Sequence, residues 1–257
     1  MTTQIYYFTG TGNSLKVAKD IAREIGDCTL TRITSEVSAG ELQCQSVRIG
    51  IIFPVYYYGL PIMVKKFIEN FNTNPKNYIF AIATCGGSVG ASMNQIEMLL
   101  SLKGLSLSAG FRIVMPDNFQ LMYGPASETK QQKLFKQQES FTKDMVEIVR
   151  DNRLIPFREQ GKYFTKVLGG IFSKTFNPKG KDQNFWTQQS CNGCGICGKV
   201  CPADNIEIIQ GKPVWRNNCE LCLGCMQWCP QKALQYKQGT VKRARYQHPE
   251  IKVKELY

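Results

Sequence analysis

The sequence predicts an α/β protein: a doubly wound, five-stranded parallel sheet over residues 1–120, then a small C-terminal α+β domain rich in cysteine. Three observations carry this. Short apolar runs alternate with amphipathic helical patterns through the first 120 residues, as βαβ units require. Several of those runs are continuously apolar, which marks strands covered on both faces. Eight of the 11 cysteines lie between residues 191 and 229.

The elements follow in order. QIYYF (4–8) is a short apolar strand, followed by a loop and a helix at about 13–25. CTLTRI (28–33) is a weaker strand. VRIGIIFPV (47–55) is a fully apolar one, and LPIMVKKFIENF (60–71) is a helix with proline near its start. NYIFAIAT (77–84) is another buried strand, a helix spans about 89–102, and SLSAGFRIVMP (106–116) is the fifth strand. Residues 121–184 form a helical extension and linker. A helix at 127–151 opens at Ser127 and is expected to present Leu134, Phe141, Met145 and Ile148 on one side. A second amphipathic stretch, 162–176, carries a stripe of Phe164, Val167, Leu168, Ile171 and Phe172 that fits packing at a domain seam. NPKGKDQN (177–184) is a polar connector, and the cysteine domain runs from 185 to 257.

The loop after the first strand, in FTGTGNSLKVA (8–18), holds hydroxyls and backbone N–H groups at a helix N-terminus, a grip for phosphate. It is not a dinucleotide loop, because Leu15 stands where a third glycine is required, and it lacks the spacing and lysine of a triphosphate loop. Two further loops fall at the same sheet edge, at the carboxyl ends of the strands, where such folds bind ligands. PVYYYGLP (54–61) offers three tyrosines that can stack on a flat ring, and TCGGSVGA (84–91) offers close backbone approach. On these residues the first 120 positions resemble flavodoxins, which bind FMN. The resemblance implies that Thr9, Gly10, Thr11, Gly12, Asn13 and Ser14 hold the FMN phosphate. It implies that Pro54, Val55, Tyr56, Tyr57, Tyr58 and Gly59, with Cys85, Gly86, Gly87, Ser88 and Gly90, frame the isoalloxazine.

The cysteines form two matching runs. Cys191-x2-Cys194-x2-Cys197-x3-Cys201-Pro202 is repeated by Cys219-x2-Cys222-x2-Cys225-x3-Cys229-Pro230. Each has the spacing for a four-iron, four-sulfur (4Fe-4S) cluster, in which three thiolates wrap one cubane and the fourth closes the other. Cluster I therefore takes Cys191, Cys194, Cys197 and Cys229; cluster II takes Cys219, Cys222, Cys225 and Cys201. Four-cysteine zinc sites use paired C-x2-C units with longer gaps, and neither run divides that way. Residues 185–236 resemble the two-cluster bacterial ferredoxins, which implies one-electron transfer at low potential. The chain as a whole resembles the flavodoxin–ferredoxin fusion proteins of anaerobic bacteria and archaea, and RYQHPEI (245–251) fits that family.

Composition narrows the rest. With 43% hydrophobic and 20% charged residues the chain reads as soluble and globular, and no apolar run is long enough for a transmembrane helix. MTTQIYYF lacks a signal peptide's basic lead and cleavage site, so a cytoplasmic location is expected, where clustered cysteines mean metal rather than disulfides. The net charge is +12, and most of the excess lies beyond residue 120. Two clusters and a flavin phosphate would offset about six of those charges. What remains suits an acidic redox partner protein, such as a ferredoxin or a reductase, and no nucleic-acid module is visible. Cys28, Cys44 and Cys85 are left over. Cys85 is placed beside the flavin, and the single histidine, His248, is expected at the surface of a basic tail. The leading expectation is an electron-transfer iron–sulfur flavoprotein that passes electrons between FMN and the two clusters. The rival is an FMN-dependent reductase of a small molecule, fed by ferredoxin through the clusters. A weaker third reading is a redox sensor.

Overall fold

The computed structural model describes residues 2–158 and 177–257; the stretch expected to be amphipathic at 162–176 lies outside the described residues. The chain runs β1 (Thr3–Tyr7), α1 (Asn13–Ile25), β2 (Cys28–Arg32), α2 (Ser35–Ala39), β3 (Leu42–Cys44), β4 (Arg48–Pro54), α3 (Ile62–Asn70), β5 (Phe71–Thr73), β6 (Tyr78–Cys85), α4 (Ser92–Ser101), β7 (Ala109–Val114) and α5 (Glu128–Arg150). Five of these strands form one parallel sheet in the order β2-β1-β4-β6-β7, the flavodoxin-like doubly wound order. β3 and β5 form a separate short parallel pair.

Residue alternation along each strand splits the core into two layers. On one face Tyr6, Phe8, Ile51 and Phe53 pack with Phe67 of α3 and Ile96 of α4. On the other, Ile5, Tyr7, Phe80 and Ile113 pack with Leu15 and Val17 of α1 and Met145 of α5. The strand register pairs Tyr7 with Ile52, Ile52 with Ile82 and Ile82 with Phe111. The strands therefore end nearly level, and the loops after β1, β4, β6 and β7 gather at one edge.

The helix expected at 127–151 is α5, but its buried face differs from the one expected. Phe135, Gln138, Thr142, Met145, Val146 and Val149 point inward, and Phe141 is exposed. The inward polar pair explains the difference. Gln138 Nε2 donates to Asp20 of α1 at 3.0 Å and to Thr142 Oγ1 at 2.9 Å, so a polar strip is buried where apolar periodicity would place it outside.

The second half is built symmetrically. β8 (Phe185–Thr187) pairs antiparallel with β11 (Leu234–Tyr236), and β9 (Ile206–Ile209) pairs antiparallel with β10 (Lys212–Trp215). Gln210 and Gly211 both take positive φ in the β9–β10 turn, the geometry of a tight hairpin. Each cysteine run ends in one short helical turn, Ile196–Lys199 or Gly224–Gln227. This half is seated on the sheet domain. Val200, Trp228, Ile251 and Leu256 join one core layer, and Ala203 joins the other. Burying a side chain as large as Trp228 contributes roughly 3 kcal/mol.

Candidate functional site

A cavity of about 590 Å³ opens at the sheet edge where the loops meet. Such a volume suits a cofactor-sized ligand. Thr9, Gly10, Thr11, Asn13 and Ser14 line it from the first loop, Pro54 to Tyr58 from the second, and Cys85 to Ser88 from the third. Gly12, Gly59 and Gly90 shape the loops without lining it. Gly12 precedes α1 with a left-handed backbone, and Gly59 closes the tyrosine turn by bonding Tyr56. Gly90 (φ +55°) lies against Tyr58, where an added Cβ would collide with the Tyr58 carbonyl oxygen.

The first loop presents hydrogen-bond donors but no cationic side chain to the cavity. α1 begins with no side-chain cap and no acidic residue in its first turn, so its N-terminal N–H groups face the loop. Thr9 Oγ1 accepts from Gly12 N at 3.1 Å, and the Ser14 and Thr84 hydroxyls stand 2.9 Å apart. Asn118 Nδ2 donates to Thr11 Oγ1 at 2.7 Å, and Asn13 Nδ2 donates to the Pro116 carbonyl at 3.1 Å. Among the described residues Lys and Arg are absent from the lining, and Asp117 is its one charged side chain.

The three tyrosines do not act as one stacking wall. Tyr57 packs edge-on against Phe119, Tyr58 is 49% exposed at the mouth, and Tyr56 packs edge-on to Phe8 with its hydroxyl facing the cysteine domain. Burial holds the Tyr56 phenol well above its ordinary pKa, so it stays protonated.

The eight clustered cysteines fall into two groups in space. Cys191, Cys194, Cys197 and Cys229 ring one small cavity. Cys201, Cys219, Cys222 and Cys225 are mutual electrostatic neighbours. Backbone N–H groups point at the sulfurs: Asn205 N to Cys201 Sγ at 3.4 Å, Leu221 N to Cys219 Sγ at 3.2 Å, and Ala233 N to Cys229 Sγ at 3.3 Å. Burial pushes the Cys197 thiol up to about 11 and the Cys222 thiol up to about 12. Thiols in such surroundings ionise when a cationic centre compensates them. Among the described residues no three His, Cys, Asp or Glu side chains stand at the distances that clasp a single ion. The donor set, all sulfur and ringed by backbone N–H, fits two cubanes.

No family model matches the chain. Over 60 residues it is 35% identical to one subunit of an ion-translocating oxidoreductase complex from Methanosarcina acetivorans, 23% of this chain and 23% of that one. The chain thus spans about a quarter of the length of the curated relative it matches. Among solved structures, the flavodoxin of Streptococcus pneumonia TIGR4 is 13% identical, covering 58% of this chain and 100% of that one with a TM-score of 0.37. A flavoprotein from Lactobacillus acidophilus, solved in complex with FMN, is 19% identical, covering 43% of this chain and 92% of that one with a TM-score of 0.34.

Two walls of the cavity went unread in the sequence. Met115 to Phe119, Met122 and Tyr123 follow β7, and Tyr123 donates to Asp117 at 2.5 Å. Leu221, Cys222 and Leu223 come from the cysteine domain. The rule that ligands sit at strand carboxyl ends would have found the first, since β7 ends at the same edge. No local signal marks the second.

The C-terminal tail is also misplaced by the sequence. His248 is buried, not at the surface. The tail straps the phosphate loop: His248 N donates to the Thr11 carbonyl at 2.9 Å, Tyr246 Oη donates to Asn13 Oδ1 at 2.7 Å, and Ile251 packs beside Gly12. Burial, against Phe135 and near Lys16, Asp20 and Glu250, drops the His248 pKa to about 4. The unfolded chain therefore binds a proton between about pH 6.5 and pH 4 that the folded one refuses. This contribution is whole above pH 6.5 and is lost as pH falls through that window, by up to about 3 kcal/mol. Chemical denaturation across pH 4–7 should show that slope, and His248→Gln should flatten it; an unchanged slope would refute it.

Proposed function

We propose that this chain is an electron-transfer iron–sulfur flavoprotein of anaerobic redox metabolism, holding FMN at the sheet edge and two 4Fe-4S clusters in the cysteine domain. One observation carries the reading: Cys222, in the cluster II set, itself lines the flavin-sized cavity. Trp228 Nε1 donates to the Gly10 carbonyl at 2.9 Å, which ties the phosphate loop to the cysteine domain at that point. Bound there, the flavin would exchange one or two electrons while the clusters carry single ones. The residues supply the rest. The α1 N-terminus, Thr9, Thr11 and Ser14 bind the phosphate, Tyr57 and the Gly86–Gly87 backbone frame the ring, and the eight thiolates ligate iron. The partial likeness to a component of an oxidoreductase complex agrees with this, and the basic second half suits an acidic donor or acceptor protein.

The second reading, a reductase of a small molecule fed through the clusters, is favoured by the cavity mouth. Tyr58, Met122 and Tyr123 stand exposed there, leaving an approach for a small acceptor.

Anaerobically purified protein is expected to hold about eight irons and one FMN per chain. Zinc without acid-labile sulfide would end the cluster assignment. The Thr11→Ala, Ser14→Ala double variant should bind FMN about a hundred- to ten-thousandfold more weakly, since hydrogen bonds to a charged group contribute about 1.5–3 kcal/mol each. Fluorescence quenching measures this, and undiminished affinity would count against the phosphate loop. Turnover of trial acceptors by reduced protein separates carrier from reductase.

A further inference from the structure

Arg32 ends β2 in the sheet domain, yet its guanidinium belongs to the seam. One terminal nitrogen donates to the Val200 carbonyl at 2.7 Å and the other to the Leu256 carbonyl. Its Nε is fully buried with no hydrogen-bond partner. Among the described residues no carboxylate pairs with it. Its electrostatic neighbours are instead the Cys222 and Cys201 sulfurs and the Tyr7 and Tyr56 phenols. A cation drawn out of water without a counter-anion is costly. Two thiolates on an iron–sulfur core are the anion that this arrangement lacks.

We propose that Arg32 is the counter-charge of cluster II and holds that cluster at a higher reduction potential than cluster I, so that electrons collect at the station beside the flavin cavity. The inference rests on the proposed function and adds a direction to it. Reduction adds one negative charge to a cluster, and burial alone opposes that, lowering the potential. A fixed positive charge inside the same low-dielectric seam favours the reduced state and offsets both the burial and the buried Glu220 carboxyl beside Cys222. Among the described residues cluster I has no such cation of its own. Cys194 is exposed and Lys212, which donates to the Cys191 carbonyl at 3.3 Å, is at the surface, where water and salt screen its charge. Arg245 is a second cation at the thiols: its Nε is likewise buried without a partner, and it neighbours Cys229 of one set first and Cys225 of the other. It is therefore shared between the clusters, whereas Arg32 faces two ligands of cluster II alone.

Redox potentiometry followed by electron paramagnetic resonance tests this on the full holo-protein. Cys194→Ser, at an exposed ligand, marks the cluster I signal. Arg32→Gln should lower the cluster II midpoint and leave cluster I in place. Arg32→Lys should retain most of the gap, and Arg245→Gln should lower both midpoints. A gap unchanged by Arg32→Gln would overturn the proposal, as would an Arg32→Lys midpoint as low as that of the glutamine variant. Should Arg32→Gln fail to hold its iron, the unsubstituted protein still decides. At half reduction the first signal to appear must be the one that Cys194→Ser leaves unaltered, and the reverse order overturns the proposal. Fewer than eight irons in the unsubstituted protein would instead remove the underlying functional reading.

Discussion

Replacing Cys225 with alanine is expected to remove about four of the eight irons and to loosen FMN as well. The first effect is ligand loss. Cys225 is buried on the turn Gly224–Gln227, and burial holds its thiol well above its ordinary pKa with Cys222, Cys219 and Cys201 around it. The second effect follows from where the cysteines sit. The core of the second half is Phe185, Ile206, Leu221, Leu223, Met226 and Leu234 interleaved with Cys197, Cys225 and Cys229, so its packing is largely the packing around sulfur. A domain this small needs a metal or disulfide staple, and metal binding there is folding free energy. Trp228, on the same turn, holds the Gly10 carbonyl, and the tail beyond holds Thr11 and Asn13. Melting the cysteine domain therefore releases the phosphate loop. Iron and flavin assays on Cys225→Ala, with Cys28→Ala as a control outside both sets, measure this. Full iron in Cys225→Ala would defeat the cluster assignment, and full FMN with half the iron would show that the strap holds alone.

How much of this the sequence carried depends on how local each cause is. The central strands β1, β4 and β6 are legible because burial on both faces forces continuous apolar runs such as Ile49–Phe53. Leu15 is legible for a related reason. It is core packing under α1, so the position where a dinucleotide loop needs glycine is committed elsewhere. β3 and β5 are three residues each, too short to leave a periodic trace. The inward face of α5 is illegible because Gln138 and Thr142 are buried through bonds to each other and to Asp20, a partner 118 positions away. The tail fails in the same way. Tyr246 and His248 are placed by Asn13 and Thr11, and apart from a 3-10 turn at Val253–Leu256 the segment has no regular structure to announce it. Arg32 looks like an ordinary charged residue at a strand end until the fold brings Val200 and Leu256 to it. The misses at α5, the tail and Arg32 are contacts between the two halves of the chain or between α1 and what covers it.

Gly10→Ala should separate those halves while leaving each intact. A Cβ on Gly10 would lie 2.5 Å from the Cys222 carbonyl oxygen, 3.0 Å from the Tyr56 hydroxyl and 3.3 Å from Cys222 Cβ. The nearest obstacle is backbone, not the far end of a flexible side chain, so it cannot swing aside. The opposite approach is also tight, since a Cβ on Gly224 would stand 3.2 Å from the Gly10 carbonyl. Relief requires the phosphate loop and the Cys222 loop to move apart, which also lengthens the Trp228–Gly10 bond. Overpacking of this kind costs typically about 1–3 kcal/mol, and backbone on both sides places Gly10 at the upper end. Gly124 lies outside the cavity lining and has nothing within 4 Å of an added Cβ, so Gly124→Ala should cost little and serves as the control. The expected result is a lower thermal midpoint for Gly10→Ala than for Gly124→Ala. With irons and FMN retained, stopped-flow reduction should show slower arrival of electrons at the flavin, because tunnelling falls steeply with distance. Equal midpoints and equal rates in the two variants would mean that the contact at Gly10 neither joins the halves nor sets their electronic separation.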